Sequence, residues 1–350
     1  MTIDGYANTM QAIPATPRSR QQQNVYRVAG ESIVVEARDS WAEDAIAKLF
    51  AGWYLTPETK TGTEQTAHDI VIQSTATPPQ VPRDWQQFEI AGSGVCYTDG
   101  STSYIDIEGS VVAINAPGSA AVEIWANGPL DLQSPALTRI VTYALAAVLR
   151  RRGVFELHSA ALVEPRSDRG VLIVGPSGSG KSTLTVQLAT AGWPFLTDDV
   201  LALTTSGGEI SAWPLRRCFA ITPETLASSN FLQSCTSLDH RKPQKDEKKQ
   251  FTPHDVFAGA FREHCMPRVL FFSQVSGDEQ SRVCKLSPGE AMARLIRMNP
   301  WSCYDQATAA DHLAVLSALV KQSRGYSLFA GTDLLDPDCA VRLIETHTKD

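Results

Sequence analysis

The order of hydrophobic and polar positions predicts that the chain starts with a β-rich part. Short segments in which apolar and β-branched residues alternate predict strands at 25–29, 32–37, 68–74, 88–90, 95–98, 103–108, 110–115 and 121–126. Ser40, with Glu43 three residues later, predicts a capped helix that extends to about Trp53. We therefore expect a mostly β N-terminal domain with one helix, over residues 25–133.

A long amphipathic helix is predicted next, over residues 134–153. Ser134 suits the cap of a helix and Pro135 suits its first position. Apolar residues recur on one helical face, at 137, 140, 141, 144, 145 and 148. Gly153 is typical of the residue that ends a helix. We expect this segment to connect two domains, with the boundary near its end.

The remainder of the chain, residues 154–350, alternates predicted strands with predicted helices. Strands are expected at 154–163, 171–174, 195–197, 200–204, 209–213 and 269–274, and helices at 183–191, 288–298, 306–323 and 337–347. The polar stretch 224–250 ends in a charge run and is predicted to be a mobile loop. Residues 1–24 are polar and predict a disordered tail. The fold class is therefore α+β or α/β.

Composition narrows the functional classes. The chain has 350 residues, 43% of them apolar and 20% charged, with a formal charge of -7. An acidic chain is a poor candidate for nucleic-acid binding, so we expect no nucleic-acid partner. Seven cysteines without a Cys-x-x-Cys pair favour reduced thiols. No apolar run approaches the length of about 20 residues that spans a bilayer, so we expect a cytoplasmic protein without a membrane partner.

A glycine-rich segment at residues 175–182 matches the phosphate-binding pattern G-x-x-x-x-G-K-[ST]. Its residues are Gly175, Pro176, Ser177, Gly178, Ser179, Gly180, Lys181 and Ser182. Glycines let backbone N–H groups face phosphate oxygens, Lys181 would reach the β- and γ-phosphates, and Ser182 would bind Mg²⁺. The helix that follows, with Thr183 in its first turn, would direct its positive end at the same phosphates. The segment predicts ATP and Mg²⁺ as cofactors, with a plain Gly/Ser turn as the alternative.

Two acidic residues follow the next predicted strand. Asp198 and Asp199 come directly after the strand at 195–197, soon enough in the chain to return beside Ser182. Asp198 is the candidate metal ligand, and Asp199 is the candidate proton acceptor for an attacking hydroxyl. The alternative is a turn or helix cap, where aspartate is also common.

Basic residues provide weaker candidates for binding the γ-phosphate or the acceptor. Arg216 and Arg217 follow a predicted strand, and Lys248 and Lys249 end the charge run. Lysines in such a charge run are more often solvent-exposed and take no part in binding. The arginine pair is therefore the better candidate.

Three segments resemble HPr kinase/phosphorylase and its relatives, which include the nucleotide core of phosphoenolpyruvate carboxykinase. They are Leu157-His158-Ser159-Ala160, the run GVLIVGPSGSGKSTL that starts at Gly170, and Leu196-Thr-Asp-Asp-Val200. The resemblance covers about residues 154–204. It implies a P-loop kinase domain of that type over residues 154–350.

The resemblance also implies roles for individual residues. It implies that Lys181 and Ser182 bind ATP and Mg²⁺, that Asp199 accepts the proton and that His158 lies at the active site. By itself, a histidine within an apolar strand is more often structural. The family is also homo-oligomeric, so the resemblance implies a homo-oligomer.

The sequence departs from true HPr kinases after the aspartate pair. They carry Glu-Ile-Arg-Gly there, with a metal-binding glutamate, whereas this chain has Trp-Pro-Leu-Arg-Arg at 213–217. The resemblance therefore supplies neither the second metal ligand nor HPr as the substrate. It is closer to divergent HPr-kinase-like proteins, some of which phosphorylate a serine of a precursor peptide.

We predict an ATP-dependent phosphotransferase that moves the γ-phosphoryl group to a hydroxyl, with a serine of a protein or peptide as the acceptor. One alternative is a small-molecule kinase, because shikimate and gluconate kinases also place an aspartate soon after the first helix. The other is a non-catalytic ATP-sensing module in which the segment 224–250 recruits a partner.

Overall fold

The computed structural model describes residues 22–58, 68–90, 94–132, 134–235 and 249–349. Most of the predicted tail, and most of the charge run including Lys248, lie outside the described residues. Within them the chain is a mixture of helices and large sheets, as the fold-class prediction expected. No helix in these ranges is long and apolar enough to cross a membrane.

The first sheet is formed by strands that all precede residue 128. They are β1 (Gln22–Val28), β2 (Glu31–Ala37), β3 (Thr56–Glu58), β4 (Ile70–Thr75), β5 (Gln86–Ile90), β6 (Gly94–Thr98), β7 (Ser103–Ile107), β8 (Ser110–Ile114) and β9 (Val122–Asn127). Their order is β3-β1-β2-β4-β9-β8-β7-β6-β5. The run β5 to β9 is an antiparallel meander, whereas β4 pairs in parallel with both β2 and β9.

Two boundaries in this part differ from the prediction. The strand β1 begins at Gln22, inside the predicted tail, because residues 22–24 pair with β2. The helix α1 (Ser40–Ala51) is capped by Asp39, so the predicted cap at Ser40 is wrong by one residue. One carboxylate oxygen of Asp39 accepts the Ala42 N–H at 2.8 Å, and the other accepts the Ser74 N–H at 2.7 Å. The cap thus also ties α1 to β4.

The helix α2 (Pro135–Arg151) packs its apolar face on this sheet. Ser134 caps it as predicted, with its Oγ accepting the Ala136 N–H at 3.2 Å. The predicted apolar positions are buried in one cluster with residues of α1 and the sheet: Leu137, Ile140, Val141, Ala144, Leu145 and Val148. Each fully buried aliphatic side chain contributes about 1.5–3 kcal/mol. This burial stabilises the helix far more than its cap does.

The second sheet contains strands that all follow α2. They are β10 (Phe155–Val163), β11 (Gly170–Val174), β12 (Phe195–Thr197), β13 (Val200–Ser206), β14 (Glu209–Pro214), β17 (Pro267–Val275), β18 (Arg282–Lys285) and β19 (Arg324–Ala330), whereas β15 (Phe219–Ile221) and β16 (Lys249–Phe251) form a separate pair. The order is β14-β13-β10-β11-β17-β19-β18, with β12 beside β10. The strands β11, β17 and β19 are parallel neighbours.

Helices cover this sheet and connect its strands. They are α3 (Lys181–Thr190), α4 (Pro223–Ser228), α5 (Asn230–Ser234), α6 (Pro253–Val256), α7 (Pro288–Met298), α8 (Trp301–Tyr304), α9 (Gln306–Gln322) and α10 (Pro337–Thr348), with a 3₁₀ turn at Thr332–Leu335. The prediction of a mobile loop at 224–250 is partly wrong. The described residues of this segment include α5 and parts of α4 and β16. The strands β15, β16, β18 and β19 were not predicted, although β19 is an interior strand between β17 and β18.

The strand β11 is buried along its whole length between two apolar clusters. Val171 and Ile173 face a cluster that includes α3 and α10, and Leu172 and Val174 face a cluster that includes α7 and α9. Because parallel strands end at one edge of a sheet, the ends of β11, β17 and β19 lie together. That edge is where the predicted phosphate loop begins.

The division into two domains stays a prediction. The two sheets lie on either side of α2 in the chain, but the apolar cluster around α2 also includes Ala202 and Leu215 from the second part. The two parts therefore share buried contacts.

Candidate active site

A cleft of about 520 Å³ opens at the edge where the parallel strands end. Ser177, Gly178, Gly180 and the start of α3 form its floor, and His158 of β10 and the aspartate pair after β12 form one side. The opposite side is formed by the ends of β17 and β19, with α4 beside α3. Candidate residues from three separate segments, namely His158, the phosphate loop and the aspartate pair, thus line one cleft.

The loop has the backbone that its glycines predict. Gly178 and Gly180 have φ angles of 81° and 90°, which side chains other than glycine rarely adopt. A Cβ on Gly175 would lie 2.5 Å from the Ser179 Oγ and 2.7 Å from the Ser273 carbonyl oxygen. The Ser273 hydroxyl donates to the Ser179 carbonyl at 2.7 Å. The loop is therefore packed tightly against β17.

The amino end of α3 faces the cleft. Gly180 is its cap residue and provides no side-chain hydrogen bond to the first N–H groups. Ser177, Gly178, Ser182 and Thr183 line the cleft together with Lys181. An uncapped helix end with its positive dipole directed into a cleft is a favourable site for an anion.

Lys181 connects the loop to the side of the cleft. Its ammonium lies 2.6 Å from the Gly175 carbonyl oxygen, 3.0 Å from the Pro176 carbonyl oxygen and 3.0 Å from His158 Nε2. An ammonium can only donate, so His158 Nε2 accepts and His158 Nδ1 carries the proton. That Nδ1 lies 3.2 Å from Asp199 Oδ1 and donates to it. The order of donation is Lys181 to His158 to Asp199.

Asp198 and Asp199 have opposite environments. Asp198 is 1% exposed, and burial raises its pKa to about 6, although the nearby Ser182 hydroxyl and the Ala220 N–H oppose the rise. The Asp199 side chain is 42% exposed. Burial raises its pKa, but the His158 contact and nearby positive charges outweigh burial, so the pKa lies below its ordinary value. Asp199 is thus ionised at neutral pH.

Ser182 and Asp198 fit a magnesium ion. Asp198 Oδ2 accepts the Ala220 N–H at 3.1 Å, but its buried Oδ1 has no hydrogen-bond partner among the described residues. The described ranges also contain no group of three or more His, Cys, Asp or Glu side chains that could hold a metal. Mg²⁺ in kinases commonly takes only one or two protein carboxylates and binds mainly phosphates and water. The donor set therefore suits Mg²⁺ with a nucleotide.

The other basic candidates lie outside the cleft lining. The Arg216 guanidinium carbon lies 4.4 Å from the centre of the Trp53 ring. The positive charge of Arg216 also lowers the pKa of Asp199. Arg217 stacks on Tyr54 at 5.1 Å and donates to the Trp53 carbonyl. Lys249 lies in β16, and its buried Nζ has no hydrogen-bond partner within the described ranges. Of these, only Arg216 interacts electrostatically with the aspartate pair.

Several cleft residues were not predicted from the sequence. Glu224 and Thr225 of α4 line the cleft, and the Thr225 hydroxyl contacts that of Thr183 at 2.7 Å. Val275 and Leu335 line the opposite side and are 60% and 37% exposed. The sequence signal for α4 was its start, Thr-Pro-Glu, which is typical of a capped helix. The two apolar residues carried no comparable signal.

The comparisons with known proteins give matches among solved structures alone. No protein-family model and no curated protein match it. It is similar to the solved structure of the Hpr(Ser) kinase/phosphatase from Coxiella burnetii, with 18% sequence identity and a TM-score of 0.25. The match covers 33% of this chain and 58% of that protein, which is less than two thirds of its length. A similarity of this size establishes neither a shared fold nor a shared activity.

Proposed function

We propose that this protein is a kinase that binds ATP with Mg²⁺ at residues 175–183 and transfers the γ-phosphoryl group to a hydroxyl, with a serine of a protein or peptide as the acceptor. The single observation that carries the proposal is the series of contacts from Lys181 through His158 to the exposed, ionised Asp199. A carboxylate in this position can accept the proton of an acceptor hydroxyl, which phosphoryl transfer requires. We propose that this site belongs to a P-loop kinase domain over residues 154–350.

The residues of the cleft supply binding and orientation. The N–H groups of the loop and of the start of α3 bind the phosphates. Lys181 donates to them by exchanging one of its two backbone carbonyl contacts for a phosphate oxygen, and it keeps its contact with His158. Ser182 and Asp198 would hold Mg²⁺, which neutralises phosphate charge when bound. In phosphoryl transfer most of the rate enhancement comes from such positioning and charge stabilisation.

Asp199 acts on the acceptor. Its carboxylate accepts a hydrogen bond from the acceptor hydroxyl, and His158 Nδ1–H holds that carboxylate in place. As the acceptor oxygen bonds to the γ-phosphorus, the bond from that phosphorus to the β–γ bridging oxygen breaks. The hydroxyl proton passes to Asp199, and ADP leaves. A carboxylate with a lowered pKa is a weak base, so it takes the proton late, which suits a loose transition state.

The test uses the full-length chain with γ-labelled ATP, Mg²⁺, serine-containing peptides and small polyols. We expect label on the peptides. Asp199→Asn should reduce transfer by about 10²–10⁴-fold and leave ATP affinity, measured by calorimetry, within a few-fold. Asp311→Asn is the matched control, because Asp311 is exposed on α9.

Three results would contradict the proposal. Full activity of Asp199→Asn excludes the assigned proton acceptor. Label on polyols alone favours a small-molecule kinase. Tight ATP binding without label on any acceptor favours an ATP-sensing module.

A further inference from the structure

A second, smaller cavity lies on the other side of His158. Its volume is about 170 Å³, and its walls come from the end of α1, from α2, from the turn between α7 and α8, and from α9. Trp53, Tyr143, Leu149, Met298 and Trp301 give it a mainly apolar surface. The kinase proposal above does not use this cavity.

His158 lines both the cavity and the cleft. Glu156 and His158 are both half-buried in β10, and they alternate with the buried Phe155, Leu157 and Ser159. Alternate residues of a strand face the same side, and both side chains line the cavity. A group bound there therefore touches the imidazole that holds Asp199.

Three buried polar atoms beside this cavity have no hydrogen-bond partner among the described residues. His312 is 0% exposed, and neither ring nitrogen has a hydrogen-bond partner among the described residues. Its ring stacks on Phe155 at 4.9 Å. Glu156 Oε2 is also buried without a partner in the described ranges, while its Oε1 pairs with Arg150 at 2.5 Å. Buried polar groups in native proteins are almost always hydrogen-bonded, to protein or to water, so a bound group or water that reaches these atoms would be stabilised there.

We propose that this cavity binds a compact, uncharged, mainly apolar group with one hydrogen-bonding atom, and that the phospho-acceptor supplies it. An engineered cavity of about 150 Å³ in another protein holds benzene, so the volume suits a group of that size. A neutral imidazole offers one donor and one acceptor, which suits a hydroxyl or an amide.

The position of His158 favours the acceptor over an unrelated small molecule. The acceptor hydroxyl meets Asp199, whose carboxylate contacts the His158 imidazole, and His158 also lines the cavity. A neighbouring apolar group of the same acceptor can therefore fill the cavity. This assignment of the occupant rests on the proposed kinase function, whereas the existence of the pocket does not.

The first experiment tests the pocket with phenol as the probe, by ligand-observed NMR on the full chain. Ala146 lines the cavity on α2, so Ala146→Leu fills part of it while keeping a good helix former. We expect phenol affinity to fall at least tenfold in this variant. Ala310→Leu, at an exposed position of α9, should leave the affinity unchanged. If Ala146→Leu does not fold, Thr142→Leu fills the same cavity. If a folded Ala146→Leu or Thr142→Leu variant binds phenol as tightly as wild type, phenol does not bind in this cavity and the proposed pocket is refuted.

The second experiment tests the occupant. Two serine peptides that differ only in the residue after the serine, phenylalanine or alanine, are compared by kcat/KM. We expect wild type to prefer phenylalanine at least tenfold, Ala146→Leu to lose the preference, and phenol to compete with the peptide but not with ATP.

The outcomes separate the two proposals. Phenol binding without any peptide preference or competition overturns the acceptor assignment and makes the cavity a separate small-molecule site. Absence of transfer to every acceptor refutes the kinase function and the acceptor assignment together. If phenol does not bind in the cavity but the protein still binds ATP and transfers phosphate, the pocket proposal is refuted and the kinase proposal is not.

Discussion

Replacing Asp198 with asparagine should stabilise the nucleotide-free protein while removing its metal site. The side chain is 1% exposed, and burial is the largest cause of its raised pKa. Asparagine has nearly the same volume, and its amide oxygen can still accept the Ala220 N–H that Asp198 Oδ2 accepts at 3.1 Å. The substitution therefore removes a buried negative charge with little change in packing.

The magnitude follows from the pKa. The carboxyl changes from an ordinary value of 3.8 to about 6 in the folded protein, a rise of about 2 pH units. One unit corresponds to 1.36 kcal/mol, so the ionised group destabilises the fold by about 3 kcal/mol. Between pH 3.8 and 6 the folded state binds more protons than the unfolded state, so wild-type stability falls as pH rises through this window. Above pH 6 the destabilisation by the ionised Asp198 no longer changes with pH.

Urea denaturation of wild type and Asp198→Asn at pH 7, 5 and 4 tests this reasoning. We expect the variant to be more stable by about 3 kcal/mol at pH 7, with a difference that shrinks towards zero near pH 4. Saturating ATP and Mg²⁺, at about 100 times the dissociation constant, should add about 2.7 kcal/mol to wild type and much less to the variant. A variant that is equally or less stable at pH 7 would refute the burial argument, and equal stabilisation by nucleotide would refute the metal role.

Three further predictions follow from the loop and its supports. Lys181→Met should weaken ATP binding at least tenfold by calorimetry, because the ammonium lies on the cleft floor; unchanged affinity would exclude the loop as the phosphate site. Gly175→Ala should destabilise the fold by about 1–3 kcal/mol in urea, because a Cβ there would lie 2.7 Å from the Ser273 carbonyl, whereas Gly289→Ala, with nothing within 4 Å, should not. Trp53→Ala should cost about 3–5 kcal/mol, since this ring is 4% exposed, and a loss below 1 kcal/mol would contradict its packing role.

The sequence was most informative where local pattern and burial agree. The face of α2 and the strands of the meander were predicted because their periodicity matches one buried side. The loop at 175–182 was predicted because glycines and a lysine at fixed spacing have few other uses. The aspartate pair was predicted because it follows a short apolar strand soon after that loop.

The sequence was least informative where tertiary contacts decide the structure. The strand β19 contains Gly325 and Ser327, which weaken its β signal, yet a Cβ at Gly325 would lie 3.1 Å from the Ala291 side chain. Close packing against α7, which no local pattern encodes, explains the glycine. Glu224 reaches the cleft only because α4 lies beside α3. The exposed Val275 and Leu335 likewise line one cleft because β17 and β19 pair in parallel and end at the same edge of the sheet.

The arginine pair shows how the first part of the chain acts on the candidate site. The segment after α1 forms an isolated bridge between Trp53 and Arg216, and the Tyr54 N–H donates to the Leu215 carbonyl at 3.0 Å. These contacts hold the Arg216 guanidinium against the Trp53 ring, at a position from which its charge still lowers the pKa of Asp199. Arg216 thus favours the ionised form of the Asp199 carboxylate from a position outside the residues that line the cleft. Because an arginine charge is permanent, this contribution stays constant around neutral pH.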